Sequence, residues 1–289
     1  GTRGAAVVKV IARGATKPEK SRGPTRAILC LMSILSPALP EPTSAAREKA
    51  LRLLERSLGP SKVLTDPDAC AGFGRDESEA EGAVDVLRGD LGAPVLVIPG
   101  NHDVPDGMRR QLGHAPFQVG GQWRTRNGWQ LLLLESWFAG SADGEGRLGS
   151  SQLQEMERAL ADHADPHALL VLHHPPIPMD SPALDELGLL DGALLSAAVE
   201  RHPRVRGMCW GHAHQALDLF RADGVRFMCT PATCMQFKPR NDFATDDRPP
   251  GYRVIDLFAN GSIASEVVWL EGYVDGDVQP RSPYTPRKT

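Results

Sequence analysis

The chain of 289 residues lacks the long apolar run that a membrane-spanning helix requires. Its longest unbroken apolar stretch near the amino terminus, residues 27–32, is far shorter than the roughly 20 residues that cross a bilayer. Hydrophobic residues make up 41% and charged residues 24%, which is typical of a soluble globular protein. We therefore expect one large α/β domain or two smaller ones, with a sizeable core and no membrane partner.

Cysteine is sparse and shows no pattern. The number of cysteines is odd, and no two of them form a C-x-x-C pair; they are Cys30, Cys70, Cys209, Cys229 and Cys234. This spacing predicts neither a disulfide framework nor a zinc knuckle. A reducing cytoplasm is the compartment that this usage favours.

An excess of positive charge is also missing, because the formal net charge is -4. No broad basic surface is available for a nucleic-acid backbone, so we expect no nucleic-acid partner. The basic segment at residues 1–25 is interpreted as a disordered tail, as is the proline-rich segment at residues 273–289. Residues 26–272 are predicted to form the folded domain. Because the first residue is Gly1, a trimmed or incomplete amino terminus remains open.

Apolar runs of strand length recur along the chain, and several are apolar throughout, as in sheets that are covered on both faces. They are residues 27–32, 95–98, 130–134, 168–172, 205–209, 225–229, 252–257 and 264–270. Helical patterns occur at residues 45–58, 151–161 and 192–202, and Ser151 with Gln154 matches a capping box. This order predicts an α/β core with an antiparallel part near the carboxyl terminus.

Three of the predicted strands run into polar motifs. These motifs are GNHD at residues 100–103, HHPP at residues 173–176 and GHAH at residues 211–214. Each motif alone is more often a polar turn or a surface histidine than a metal site. Together, imidazoles and an Asn oxygen form a mixed nitrogen and oxygen site that suits Mn, Fe or Zn. In an extended segment His212 and His214 would face the same side.

G-N-H-[DE], H-x-P and G-H-x-H, in this order, form the signature of the calcineurin-like metallophosphoesterases, which the chain resembles. The stretches GRLGSSQLQEMERAL, TPATCMQFKP and DDRPPGYRVIDL resemble the class III, or Icc-type, bacterial cyclic-AMP phosphodiesterases. This similarity extends over roughly residues 76–270. The resemblance implies an α/β fold, a four-layer αββα sandwich with two metals at the sheet ends.

The resemblance also implies roles for individual residues. Asn101, His173 and His212 would bind one metal, and His214 would bind the other. We expect His173 rather than His174 as the ligand, because the family's ligand lies two residues before the proline. The implied reaction is attack of a metal-held hydroxide on the phosphorus of a cyclic nucleotide, with 3′,5′-cyclic AMP favoured and His102 as the catalytic histidine.

Two motifs of the family are absent. Ile34 and Ser36 stand where an Asp-x-His is expected, and Phe73 stands where the bridging Asp of a Gly-Asp is expected. Neutral ligands cannot balance the charge of two dications, so the second metal is predicted to bind poorly or not at all. Asp76 is the first candidate for a substitute, followed by three weaker ones, which are Asp66, Asp68 and Asp103. Gly89-Asp90 matches literally but lies too close to the next strand.

Three explanations for this loss remain open. The chain is an impaired or inactive phosphodiesterase-like scaffold, or it recruits Asp76 and keeps some activity, or its upstream coding sequence was read in the wrong frame. A member that cuts nucleic acid is disfavoured by the lack of a basic stripe. Lys238 and Arg253 are interpreted as exposed loop charges rather than as substrate contacts.

Overall fold

A computed structural model describes residues 6–13, 25–33 and 95–270, and the last range has gaps at 113–116, 126, 142–143, 163–164, 234 and 241–243. The predicted helix at residues 45–58 lies outside the described residues, as does the predicted tail at residues 273–289. The same holds for the positions at which the family motifs are missing and for most candidate substitutes, which are Ile34, Ser36, Asp66, Asp68, Phe73, Asp76 and Asp90.

The described strands are β1 (Ala6–Arg13), β2 (Thr25–Ser33), β3 (Val95–Pro99), β4 (Phe117–Val119), β5 (Gly121–Arg124), β6 (Trp129–Leu133), β7 (His167–Val171), β8 (Val205–Trp210), β9 (Leu217–Phe220), β10 (Arg226–Cys229), β11 (Gln236–Phe237), β12 (Thr245–Asp246), β13 (Gly251–Leu257) and β14 (Ile263–Trp269). The described helices are α1 (Pro105–Leu112), α2 (Gly149–Ala161), α3 (Pro182–Asp185) and α4 (Gly192–Glu200).

The strands form two six-stranded sheets and one small hairpin. The first sheet has the order β14-β13-β2-β1-β3-β4, and the second has the order β5-β6-β7-β8-β10-β9, while β11 pairs with β12. In the second sheet β6, β7, β8 and β10 run parallel, with an antiparallel strand at each edge. In the first sheet β13 and β14 are antiparallel, as the sequence predicts for this part of the chain.

Alternation along β7 shows how the sheets pack. Leu169 and Val171 belong to an apolar cluster that joins both sheets, while Ala168 and Leu170 belong to a second cluster with the buried faces of α2 and α4. Successive side chains of a strand point to opposite faces, so a strand buried on both faces must be apolar throughout. The layers are therefore a helical layer, the second sheet and the first sheet, and the predicted α/β class is confirmed.

All eight predicted strands are present, with ends that differ by one or two residues. Two local predictions need correction. Residues 1–25 are predicted to form a disordered tail, but residues 6–13 form β1 between β2 and β3, because this stretch of the basic segment is apolar except for Lys9 and Arg13. Among the described residues, no helix combines the length and the apolar character that a membrane crossing requires.

The amino end of α2 is the second correction. The helix begins at Gly149, so Ser151 lies inside the first turn, and no side chain of the helix itself caps it. Instead, the carboxylate of Asp191 accepts hydrogen bonds from the backbone N–H of Leu148 at 3.0 Å and of Gly149 at 2.8 Å. A carboxylate at a helix amino terminus satisfies unpaired N–H groups and favours the helix dipole. The predicted capping box is therefore wrong.

Candidate metal centre

The ends of three strands bring the predicted ligands together. The strands β7 and β8 are parallel neighbours, and beyond their carboxyl ends the N–H of Gly211 donates to the carbonyl of His173 at 3.1 Å. This backbone bond ties the HHPP motif to the GHAH motif. The third strand, β3, belongs to the facing sheet and carries Asn101 to the same place, since Asn101 contacts His173.

The strand β2 ends at the same edge of the first sheet. Val7 of β1 pairs with both Met32 of β2 and Pro99 of β3, and both pairings are antiparallel. Hence β2 and β3 run parallel to each other, with their carboxyl ends on either side of β1. The backbone of Ser33, just before the first missing family motif, therefore lies at the edge where the GNHD turn begins.

Candidate ligand atoms of Asn101 and of His212 both contact the imidazole of His173. Its Nε2 lies 3.0 Å from Oδ1 of Asn101 and 3.2 Å from Nδ1 of His212. Ligand atoms held by one ion at about 2.0–2.1 Å are themselves separated by about 3.0–3.4 Å. The spacing of these atoms therefore fits a shared ion, and the donor set of one amide oxygen and two imidazoles suits Mn, Fe or Zn.

Burial keeps the two central imidazoles neutral. It lowers the pKa of His173 well below its ordinary value, and repulsion from His174 and His212 lowers it further. Burial also lowers the pKa of His212, again with repulsion from neighbouring histidines. The neutral ring is the form that binds metals. Nδ1 of His173, on the opposite side of the ring from the candidate ligand atom Nε2, is buried without a hydrogen-bond partner among the described residues.

His174 also lies in this cluster, but the protein uses both of its ring nitrogens. Nδ1 is 2.7 Å from Oγ of Ser136, and Nε2 is 3.0 Å from the carbonyl of Gly144. A carbonyl only accepts, so Nε2 carries the proton and Nδ1 accepts from the serine hydroxyl. Burial lowers the pKa of His174 to about 4. His173 therefore stays the predicted ligand in preference to His174.

His214 stands beside the cluster and is held separately. Its Nδ1 donates to the carbonyl of Met235 at 2.9 Å, which leaves the lone pair on Nε2. Its ring stacks on Phe237 at a centroid distance of 5.0 Å. Its pKa is lowered to about 4 by burial. The prediction of an extended GHAH segment is wrong, because φ is 64° at His212 and 51° at His214, in the left-handed region.

The GNHD turn presents His102 toward solvent. The backbone N–H of Gly100 donates to the carboxylate of Asp103 at 2.7 Å, which closes the turn. Asn101 lies at the tip with Oδ1 toward His173, and its Nδ2 lies 3.4 Å from Nε2 of the exposed His102. Asp103 closes its own turn and does not belong to the cluster of His173, His174 and His212.

Acidic ligands are the part of the site that the described ranges do not contain. The group of residues with ligand atoms within 4.8 Å of one another consists of His173, His174 and His212, and no described carboxylate belongs to it. The charge of Glu145 raises the pKa of His174, but the larger effect of burial lowers it. The described residues therefore provide only neutral side chains for the candidate metal site.

The sequence interpretation missed Ser136, Gly144 and Gly146, which contact His174 and, in the case of Gly144, also Asn101. These residues have no periodic or motif signal of their own, although the two glycines flank or begin the stretch GRLGSSQLQEMERAL. Arg253 was expected to be an exposed charge, but it is buried, because its guanidinium donates to the carbonyls of Cys229 and Leu217. It is a structural residue rather than a substrate contact.

Comparison with known proteins places these observations in a family. The family model described as calcineurin-like phosphoesterase matches residues 72–216. The chain is 39% identical over 176 residues to the 3′,5′-cyclic adenosine monophosphate phosphodiesterase CpdA of Escherichia coli (strain K12). This match covers 61% of this chain and 63% of that protein. It is 34% identical over 183 residues to a probable cyclic nucleotide phosphodiesterase of Synechococcus, covering 63% and 67%.

Among solved structures, a dimetal phosphatase from Danio rerio superposes with a TM-score of 0.40 at 12% identity, and the match covers 59% of this chain and 70% of that one. The matched part spans 63% of the length of the Escherichia coli relative.

Proposed function

Because the chain belongs to the calcineurin-like phosphoesterases, we propose that it is a metal-dependent phosphodiesterase that hydrolyses a cyclic nucleotide, with 3′,5′-cyclic AMP as the favoured substrate. The substrate class follows from the names of its relatives, which include a cyclic AMP phosphodiesterase at 39% identity. Membership of the family implies the use of divalent metals. The single observation that carries the proposal is the contact of Asn101, His173 and His212 through their candidate ligand atoms.

In this proposal Asn101, His173 and His212 hold one divalent ion, Mn, Fe or Zn, and His214 holds a second. Such ions, when bound, would polarise a phosphodiester and lower the pKa of a bound water, so that hydroxide is available at neutral pH. The protein's part is to keep the imidazoles neutral by burial and to aim Oδ1 of Asn101 into the cluster. The surrounding side chains then hold the ligands in place before any ion arrives.

His102 has a different part in the proposed reaction. It is exposed at the tip of the GNHD turn, next to Asn101, where a substrate arriving from solvent passes it. An imidazole in this position can donate a proton to the leaving oxygen as the ester opens. The small-molecule substrate would therefore lie between His102 and the buried histidines.

The lack of a described carboxylate in the cluster favours a second candidate, an inactive phosphodiesterase-like scaffold. Measurement of bound metal after dialysis against Mn²⁺ separates the two. About one or two ions per chain, together with turnover of cyclic AMP, supports the enzyme. No bound metal and no turnover, in a protein that remains folded, supports the scaffold.

A further inference from the structure

We propose, on the basis of the metal site proposed above, that residues 144–146 form a positioning element for this site. Gly144 and Gly146 contact Asn101 and His174 where no larger residue fits. Gly144 would thereby set how far Asn101 reaches toward His173, and Gly146 would set the position of the His174 ring beside it. The affinity for metal would depend on residues that do not themselves bind the ion.

Gly144 contacts two members of the site. Its φ of 108° is rarely adopted by any residue except glycine, and a Cβ built there would lie 2.8 Å from Nδ2 of Asn101. Its carbonyl accepts the hydrogen bond from Nε2 of His174 at 3.0 Å. The amide of Asn101 therefore packs against the residue that also orients His174.

Gly146 packs against the other side of His174. A Cβ at this position would lie 2.3 Å from Nδ1 and 2.4 Å from Cγ of the imidazole. The backbone of Gly146 cannot easily withdraw, because its N–H donates to the carbonyl of Gly188 at 3.0 Å and its carbonyl accepts from the N–H of Leu190 at 2.8 Å. The ring of His174 is thus fixed against a backbone that is itself anchored.

Ser136 completes the contacts of His174. Its hydroxyl donates to Nδ1 of His174 at 2.7 Å and accepts from the backbone N–H of the same residue at 3.3 Å. The ring centroid of His174 lies 4.7 Å from those of both His173 and His212. A displaced His174 would therefore push directly on the two imidazoles that the proposed ion needs.

The segment offers a matched control in Gly149. Its φ of 77° is also in the left-handed region, but a Cβ there would meet no atom within 4 Å. Gly149→Ala carries the backbone strain of an alanine at positive φ without crowding the site. Gly149→Ala therefore controls for an alanine at positive φ, although the φ of 108° at Gly144 lies farther from the left-handed region than the 77° at Gly149.

The first test uses the metal-free full chain and nuclear magnetic resonance. The wild type and Gly149→Ala should show the same nuclear Overhauser contact between the side-chain amide of Asn101 and the ring of His173. Gly144→Ala should lose this contact or shift the amide resonance. The proposal is overturned if Gly144→Ala keeps this contact and its Asn101 amide resonance matches that of Gly149→Ala. This outcome does not depend on whether the protein binds metal or hydrolyses cyclic AMP.

The second test measures Mn²⁺ affinity by calorimetry in the same proteins. We expect Gly144→Ala to bind Mn²⁺ about tenfold or more weakly than Gly149→Ala, which is the effect of losing an orienting group around a metal. A wild type that binds no Mn²⁺ contradicts the proposed function. In that case the comparison of Gly144→Ala with Gly149→Ala by nuclear magnetic resonance still tests the positioning role. Equal affinities in the two variants, in a protein that does bind Mn²⁺, overturn that role.

A third comparison remains decisive if Gly144→Ala does not fold. Gly146→Ala should shift the ring resonances of His173 in the metal-free chain, and this shift should vanish when His174→Ala is already present. Non-additivity of this kind is expected of residues that act through one contact. A shift of the same size in both backgrounds shows that Gly146 does not act through His174 and overturns the proposal.

Discussion

The Nε2 atom of His173 lies 3.0 Å from the side-chain oxygen of Asn101, although 72 positions separate the two residues in the chain. One residue follows a strand of the first sheet and the other follows a strand of the second. The contact exists because both strands end at the same edge of the packed sheets. A metal site formed in this way depends on the docking of the two sheets as well as on the ligands.

His173→Ala should remove most of the affinity for Mn²⁺, because its Nε2 is the atom that both Asn101 and His212 contact. The matched control is His167→Ala, at the other end of the same strand, where the imidazole contacts only a backbone carbonyl of Ala259 among the hydrogen bonds described. We expect His167→Ala to bind Mn²⁺ like the wild type in calorimetry. Equal losses of affinity in both variants would count against His173 as a ligand.

His102→Ala should lower the turnover of cyclic AMP by about 10²–10⁴-fold, which is the usual contribution of a general acid. Its affinity for Mn²⁺ should stay unchanged, since His102 is exposed and lies outside the buried cluster. Turnover assays and calorimetry on the same preparation test the expected loss of turnover and the unchanged affinity for Mn²⁺. A parallel loss of metal would identify His102 as a ligand rather than a proton donor.

Two buried cysteines, Cys209 and Cys229, provide a prediction about pH. Burial raises the pKa of Cys209 and of Cys229 to about 12, against an ordinary value of 9.0. Only the thiolate reacts with iodoacetamide, so the native thiols should stay unmodified as the pH rises from about 7 to 9. The same residues in the unfolded chain should react faster over that range. Peptide mapping by mass spectrometry measures both, and rapid alkylation of the native protein would contradict the buried position.

Restoring the missing family motifs should improve the site. In the triple variant Ile34→Asp, Ser36→His, Phe73→Asp, two added carboxylates offset part of the charge of two dications. The strand β2 ends at Ser33, at the same sheet edge as the GNHD turn, and Ile34 and Ser36 follow within three residues in the sequence. We expect more bound Mn²⁺ and faster hydrolysis of cyclic AMP than in the unaltered chain.

The unaltered chain is the control for this repair. If it already holds two ions and hydrolyses cyclic AMP as fast as the triple variant, the missing ligands have been placed wrongly. Another carboxylate must then act in their place, and Asp76 is the first to test by substitution with Asn.

Much of the fold could be predicted because burial determines which positions of the sequence are apolar. Runs such as residues 168–172 are apolar at every position, since β7 is covered by α2 and α4 on one face and by the first sheet on the other. The order of the three histidine and asparagine motifs predicted which strand ends meet. Neither inference needs knowledge of the tertiary contacts.

Contacts between distant segments could not be predicted in the same way. The cap of α2 comes from Asp191, 42 positions after Gly149, so the local Ser-x-x-Gln pattern was misleading. The role of Ser136 depends on a hydrogen bond to His174 across 38 positions. The left-handed φ of His212 has no signal in the local sequence, which suggested an extended segment.

The central claim, that Asn101, His173 and His212 hold one divalent ion, is tested most directly by a crystal soaked in Zn²⁺ and measured at the zinc absorption edge. We predict an anomalous peak about 2.0–2.1 Å from Nε2 of His173 and Nδ1 of His212, and about 2.0–2.2 Å from Oδ1 of Asn101. A well-diffracting crystal with no peak at these three atoms, or with a peak on other side chains only, would contradict the claim.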